Sequence, residues 1–416
     1  MADPNNKRVA VTAGLRGASW QADRMTAPFS STPVPLSTQD GQGALGVLFA
    51  RGGERKVLFI MHPRELVVTH YLVPDALDAG WACWVQGARS IGNDLRLEHE
   101  FALYDVAAGM RHLRSAGFDN IVLLGNSGGA GLFAYYNQQS VLAAENRVDK
   151  TPAGRATNFD TAQFPVADGI ALVSPHPGQG VLLMNALDPS VTDELDPFST
   201  DPTLDPFSEA NGFRMPPDSA RYSAEFIERY RAGQRQRVAR IDAHARSLVE
   251  RRQAARHRLK NSGANVDRAL AAHGAIFQVW RTDADLRSWD TSLDPSDRFV
   301  GSLWGADPFV SNLGSVGFGR IVTPESWLST WSGLSSNASL AKCAQFIEQP
   351  TLLIEYSGDN AVFPQDVDAI YEAIPASHKE RHRVRGNHHG QALEAGETSG
   401  QVLAGEHLRR WLQENF

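Results

Sequence analysis

The sequence has few cysteines and no long hydrophobic run. Its 416 residues include two cysteines, Cys83 and Cys343, which stand far apart and form none of the close spacings that bind metals. So few cysteines argue against a disulfide framework and fit a reducing compartment. No stretch reaches the roughly 18 apolar residues that cross a bilayer, and the first residues lack the apolar core of a secretory signal. We therefore expect a cytoplasmic protein that does not bind membranes.

The charge balance and the absence of several motifs exclude further classes. A net charge of -7 gives no general attraction to nucleic acid. No phosphate-binding loop or dinucleotide fingerprint occurs, since the segment GLRGAS at 14–19 lacks the strand and helix that such a motif needs. The acidic segment 193–207 has no EF-hand spacing, and its Asp-Pro pairs are typical of turns. We expect no cofactor, no metal and no nucleic-acid partner.

Strand and helix patterns alternate over the first part of the chain and again near its end. Apolar runs predict strands at 33–38, 44–50, 57–62, 81–87, 120–125, 169–175 and near 381–385, and another within QPTLLIEYSGDNAVFP at 349–364. Apolar residues at helical spacing predict helices at 65–79, 94–116, 365–374 and 400–416, and another that begins at 128. This alternation predicts an α/β fold, in which a mostly parallel sheet is flanked by helices.

A segment of about 170 residues interrupts this pattern. Its first part, 176–213, is rich in Asp, Pro and Gly and predicts loops, whereas the arginine-rich stretch 219–260 predicts one long helix. One apolar stripe on that helix would pack and the arginines would face solvent; the stripe comprises Val238, Ile241, Ala245 and Leu248. The chain also exceeds the length that one core usually supports, so we expect one large domain with an insertion.

The motif Gly125-Asn126-Ser127-Gly128-Gly129 fits the pattern G-x-S-x-G between a predicted strand and a predicted helix. Such a turn presents the serine hydroxyl at the carboxyl edge of the sheet, and its glycines let strand and helix approach closely. The alternative is a serine that only caps the helix. The strand before the motif and the helix after it favour Ser127 as a nucleophile.

A serine nucleophile needs a base, and the base needs an acid that orients it. Asp359 follows an apolar strand in the segment SGDNAVFP, a better position than that of Glu355 within the strand or Asp366 in the next helix. Two adjacent histidines, His388 and His389, follow the last predicted strand in GNHHG. We choose His389 as the base, because it is the fourth residue of a Gly-x-x-His turn, and keep His388 as the alternative.

Together, and in this order, GNSGG, SGDNAVFP and GNHHG resemble the motifs of the α/β-hydrolase superfamily, over about 33–175 and 350–416. The resemblance implies an N-terminal extension at 1–30, a hydrolase core at 31–175 and 350–416, and a mainly helical cap at 176–349, inserted before the acid-bearing strand. It also implies an oxyanion hole made by the N–H of Gly128 and a second N–H after the third strand. There Pro63 replaces the usual glycine and has no N–H, so Arg64 is the predicted donor.

The predicted function is that of a serine hydrolase that cleaves a carboxylic ester through an acyl-enzyme. Alternatives are the same triad acting on an amide, lactone, thioester or C–C bond, and a non-catalytic protein that binds a ligand on the same fold. The predicted partner is a small-molecule substrate; a homo-oligomer, the natural substrate and the role of residues 1–30 stay open. Predicted substrate contacts are His62, Asn126, His176, His388 and Trp304.

Overall fold

The computed structural model describes residues 24–25, 27–92, 94–315 and 317–416, so most of the predicted N-terminal extension lies outside the described residues. The main sheet has eight strands: β1 (Ser30–Ser37), β2 (Gly43–Ala50), β3 (Lys56–His62), β4 (Ala82–Gly87), β5 (Asn120–Asn126), β6 (Gly169–Val173), β11 (Thr351–Tyr356) and β12 (Lys379–Val384). Their order across the sheet is β1-β2-β4-β3-β5-β6-β11-β12. Only β2 runs against the other strands of this sheet. The predicted mostly parallel sheet is confirmed.

Helices of the core connect these strands and cover both faces of the sheet: α1 (Val73–Asp78), α2 (His99–Ser115), α3 (Gly128–Val141), α11 (Pro364–Ala373) and α12 (Gly400–Asn415). Alternate residues of each central strand face opposite sides. In β3, Phe59 packs into the core layer that includes Leu123 and Phe133, whereas Leu58 and Trp411 belong to the layer on the other face. Because both faces are buried, the central strands are apolar through their middle, as at 57–61 in β3.

The segment between β6 and β11 forms its own packed clusters. It contains two short antiparallel pairs, β7 (Val191–Asp193) with β8 (Asp196–Thr200) and β9 (Phe277–Gln278) with β10 (Ile321–Val322). Its helices are α4 (Gln179–Ala186), α5 (Ala224–Ser262), α6 (Asn265–Ala272), α7 (Leu286–Trp289), α8 (Pro308–Leu313), α9 (Pro324–Ser326), which a π-helical turn at Trp327–Trp331 continues, and α10 (Leu340–Ala344). Val238, Ile241 and Ala245 of the predicted stripe are buried against Trp327 and Trp331.

Two predicted elements differ from those observed. The helix predicted at 65–79 is confined to Val73–Asp78, because Pro74 would remove an N–H and clash with the carbonyl group four residues earlier if the helix began sooner. Conversely, part of the predicted loop after β6 forms α4, where an apolar run follows Gly178. In the described part of the chain, no helix combines the length and the apolar character needed to cross a bilayer.

Candidate active site

Ser127 stands in a strained turn between β5 and α3. Its backbone has φ 53° and ψ −118°, a conformation that costs energy for any residue with a side chain. The flanking glycines are needed for space: a methyl group built on Gly125 would lie 2.5 Å from the backbone of Ala130, and one on Gly129 would lie 2.4 Å from the carbonyl oxygen of Met61. The strand and helix therefore approach as the motif predicts, and Ser127 lines a pocket at the carboxyl edge of the sheet.

A histidine links Ser127 to Asp359. His388 Nε2 lies 3.0 Å from Ser127 Oγ, and His388 Nδ1 lies 2.8 Å from Asp359 Oδ2 and 3.0 Å from Asp359 Oδ1. Asp359 is 2% exposed and His388 is 3% exposed. These distances allow the imidazole to take a proton from the hydroxyl while the carboxylate orients the ring. We call these three residues the Ser-His-Asp cluster.

The histidine in this cluster is His388 and not His389, which corrects the choice made from the sequence. A tight turn sets the difference, because Asn387 Oδ1 accepts the N–H of His389 at 3.0 Å and Gly390 N–H donates to the carbonyl of Asn387 at 2.8 Å. The turn directs the first ring between Asp359 and Ser127. His389 lines the same pocket with its ring centre 5.0 Å from that of His388.

Four features of the described residues point to one fold. They are the strand order of the main sheet, the strained serine after β5, the acid after β11 and the histidine after β12. The chain has the α/β-hydrolase fold. No family model and no curated protein matches the sequence.

Several solved structures resemble the chain at low sequence identity. DcsB, solved in complex with its substrate analogue, is 14% identical over 93% of this chain and 99% of its own, with a TM-score of 0.49. The α/β hydrolase GrgF from Penicillium sp. sh18 is 13% identical over 93% and 99%, with a TM-score of 0.48. The esterase Pf2001 from Pyrococcus furiosus is 11% identical over 95% and 93%, with a TM-score of 0.44. At these scores the fold assignment rests on the strand order and geometry of this chain.

Within this α/β-hydrolase fold, the carboxylate of Asp359 is held ionised. Burial is the largest influence and raises the pKa of Asp359, but the contact with His388 and hydrogen bonds from Ser174 and from the Ala361 N–H together hold the pKa below its usual value. Asp359 Oδ1 accepts the N–H groups of Ala361 at 2.7 Å and Val362 at 2.9 Å. An ionised carboxylate at Nδ1 keeps the proton of the neutral ring on that nitrogen and leaves Nε2 free to accept one.

Ser174 is a member of the site that the sequence analysis missed. It follows β6, is fully buried and has a left-handed backbone with φ 46°. Its hydroxyl donates to Asp359 Oδ2 and lies 3.1 Å from His388 Nδ1. The sequence signal that could have identified Ser174 is its position as a polar residue directly after the apolar run GIALV. That run forms β6, which pairs with both β5 and β11. Ser174 therefore helps to hold the acid in place.

Replacing Ser174 with Ala or Gly is expected to lower kcat for an ester roughly tenfold and leave KM unchanged, since a hydrogen bond to a charged group contributes about 1.5–3 kcal/mol. Glycine relieves the left-handed backbone whereas alanine does not. A positioning role therefore predicts equal losses of kcat in the two variants although their melting temperatures differ. Steady-state kinetics and thermal unfolding test this. If kcat instead follows the melting temperature, Ser174 acts only through stability.

The two predicted oxyanion donors have different surroundings. Gly128 is the first residue of α3, where an N–H has no acceptor within the helix. The N–H of Arg64 donates to His62 Nδ1 at 3.2 Å, and its guanidinium pairs with both carboxylate oxygens of Asp94, at 2.7 and 2.6 Å. Both oxyanion roles stay predictions. The N–H of Arg64, however, could reach a substrate only by sharing or breaking the bond to His62.

A pocket opens above Ser127. Side chains from the core and from the segment after β6 line it, and they include every predicted substrate contact, namely His62, Asn126, His176, His388 and Trp304. Leu303 and Phe318 complete its apolar wall beside Trp304. The tryptophans at 289, 327 and 331 are instead fully buried in the packed clusters of the segment between β6 and β11.

Four histidines with lowered pKa values lie at or near the pocket: His62, His70 and His176 line it, and His99 is close to His62. Burial, the largest influence, lowers the pKa of His62 well below its usual value, and the nearby Arg64 adds to this. Burial also lowers the pKa of His176 to about 3, and those of His70 and His99 to about 4. These four imidazoles are neutral at physiological pH. In the residues that the structure describes, no group of His, Cys, Asp and Glu side chains is arranged to hold a metal ion.

Proposed function

We propose that this protein is a serine hydrolase that cleaves a carboxylic ester through an acyl-enzyme. The observation that carries the proposal is the 3.0 Å contact between His388 Nε2 and Ser127 Oγ, both of which line a pocket at the carboxyl edge of the sheet. A serine with this base is activated for attack on a carbonyl carbon. The Ser-His-Asp cluster is intact, which favours catalysis over ligand binding alone.

In the proposed reaction, Ser127 Oγ attacks the ester carbonyl carbon while its proton passes to His388 Nε2. The electron pair of the carbonyl moves to its oxygen, near the Gly128 N–H, and Asp359 stabilises the charged imidazole. When this electron pair returns to form the carbonyl bond again, the bond between the carbonyl carbon and the alcohol oxygen breaks. His388 gives its proton to that leaving oxygen. Water then attacks the acyl-enzyme by the same route and releases the acid and the free Ser127 hydroxyl.

The pocket wall supports a substrate with a small to medium apolar acyl group. The segment between β6 and β11 contributes apolar surface through Leu303, Trp304 and Phe318, and the core contributes Ile60, Met61 and Val67. We propose that this segment, 176–349, acts as a cap that selects the substrate. The same cluster could also act on an amide, lactone, thioester or C–C bond, because these reactions share the carbonyl chemistry and differ in the leaving group.

Covalent labelling tests the nucleophile. A fluorophosphonate probe is expected to label the native protein and not Ser127→Ala, since phosphorus is attacked by the same activated hydroxyl. Ser247→Ala, which removes an exposed hydroxyl that bonds only the His244 carbonyl, is the matched control and should label at the native rate. Labelling that persists in Ser127→Ala would assign the reactive group elsewhere.

A substrate panel tests the bond type. p-Nitrophenyl esters of graded chain length are expected to be hydrolysed, with a maximum at short to medium chains, and matched anilides and thioesters to react more slowly. Initial rates at equal concentration measure the preference. A faster reaction with the amide or thioester of the same acyl group would move the proposal to that class of substrate.

A further inference from the structure

Three side-chain nitrogens converge beside the residue that follows Ser127. A methyl group built on Gly128 would lie 2.2 Å from Gln179 Nε2, 2.9 Å from His62 Nε2 and 3.0 Å from His176 Nε2. Gln179 and both histidines line the pocket that contains the Ser127 hydroxyl. The absence of a side chain at Gly128 therefore lets three polar groups meet at the start of α3, where an oxyanion would form.

Both histidines present an N–H to this space. His62 Nδ1 accepts the N–H of Arg64 at 3.2 Å, and His176 Nδ1 accepts the N–H of Gly178 at 3.1 Å. A neutral imidazole that accepts at Nδ1 carries its proton on Nε2. Since burial keeps both rings neutral, each offers one hydrogen-bond donor without a full positive charge.

The side-chain amide of Gln179 is buried and lacks hydrogen-bond partners among the described residues. The residue is 1% exposed, and within the described residues neither its Nε2 nor its Oε1 forms a hydrogen bond. The amide lies near His99, and its contact with that ring opposes the burial that lowers the pKa of His99. An unsatisfied buried amide destabilises the folded protein, so a ligand that supplies an acceptor would recover the lost hydrogen bond.

The position of Gln179 is fixed by close packing. Gln179 is the first residue of α4, and a methyl group on the next residue, Gly180, would lie 2.5 Å from the carbonyl oxygen of Ser332. The start of α4 is thus held against the segment that follows the π-helical turn. A donor held in place before the reaction needs no reorganisation when charge develops.

We propose that the side chain of Gln179, flanked by His62 and His176, supplies the donors that complete the oxyanion hole beside the Gly128 N–H. The assignment rests on the proposed serine hydrolase function. It explains how the site works without the usual backbone donor, because Pro63 has no N–H and that of Arg64 already bonds His62. The oxygen receives the carbonyl electron pair when Ser127 attacks, and Gln179 Nε2 donates to it until the pair returns.

The rate of labelling by a fluorophosphonate tests this proposal without knowledge of the natural substrate, since the phosphoryl oxygen is expected to enter the same hole. Removing one oxyanion donor typically costs roughly 10²–10³ in rate, and flanking donors would reduce that loss. Gln179→Leu is expected to lower the second-order labelling constant and kcat for an ester at least about tenfold and leave KM nearly unchanged. Its melting temperature should stay equal or rise, because an unsatisfied amide is removed.

Two further variants complete the experiment. Gln179→Glu keeps the shape and exchanges the N–H donor for an acceptor, so it should lose at least as much rate as Gln179→Leu. Gln413→Leu makes the same change at an exposed position of α12 and should label at the native rate. Labelling constants of both Gln179 variants within about threefold of native, or a rise in KM with kcat unchanged, would overturn the oxyanion assignment.

Ser127→Ala distinguishes the two proposals. Loss of labelling in Ser127→Ala together with native rates in the Gln179 variants would remove only the role of Gln179. Labelling that survives in Ser127→Ala, or its absence in the native protein, would instead remove the proposed function and the Gln179 assignment that rests on it.

Discussion

His388→Ala is expected to lower kcat for an ester by roughly 10⁴-fold or more, because no other ring bonds Ser127 in the described structure. His389→Ala should retain at least about a tenth of the native kcat, since its ring stands beside His388 at the pocket and not between the hydroxyl and the carboxylate. Single-turnover and steady-state kinetics on a p-nitrophenyl ester measure both. The adjacent histidines thus serve as matched controls for each other.

The two variants also separate chemistry from folding. Both change an imidazole to a methyl group in the same loop, so similar melting temperatures with very different kcat would locate the effect in proton transfer. The fluorophosphonate labelling constant should fall with kcat in His388→Ala. An equal collapse of activity in both variants, with both proteins folded, would mean that the loop conformation matters more than the base.

Much of the core could be predicted from the sequence, because the residue pattern of each segment there matches the place that the segment takes in the folded protein. β3 and β5 contain the apolar runs 57–61 and 121–124 because both faces of the sheet are buried, and Ser127 stands out because glycines flank it where strand and helix approach closely. Asp359 was predictable from its position after a strand. In each case the signal is local in the sequence, even where its physical cause is distant, as for Gly129 and Met61.

The rest depends on neighbours that are distant in the chain. Choosing between His388 and His389 requires the direction of a turn that Asn387 sets by hydrogen bonds. Ser174 meets Asp359 only because β6 and β11 pair side by side, 185 residues apart. The glycines and the proline near the start of α4 predict a loop, and a loop gives no reason to single out Gln179. The spacing of apolar residues within a segment does not predict contacts of this kind between distant parts of the chain.

His70→Asn is expected to make stability less sensitive to acid than in the native protein. Burial, the largest influence, lowers the pKa of His70 to about 4, although Asn126 partly opposes this. The unfolded state, with a pKa near 6.5, therefore binds a proton between about pH 6.5 and 4 that the folded state does not. His70 thus lowers the free energy of unfolding by roughly 3 kcal/mol as the pH falls through this window, and has no effect above it.

The measurement must be a difference between variants. Burial also raises the pKa of Asp105 to about 6 despite the pairing of that carboxylate with Arg89, and such carboxyls change stability in the opposite direction over the same range. Urea unfolding at several pH values between 7 and 4.5 should show that His70→Asn removes a slope of about 1.4 kcal/mol per pH unit. The exposed His273→Asn is the control and should keep the native slope. A cavity at position 70 would lower stability equally at every pH and would not change the slope. Parallel plots of unfolding free energy against pH for His70→Asn and the native protein would therefore contradict the prediction, because they would mean that His70 binds its proton equally well in the folded and unfolded states.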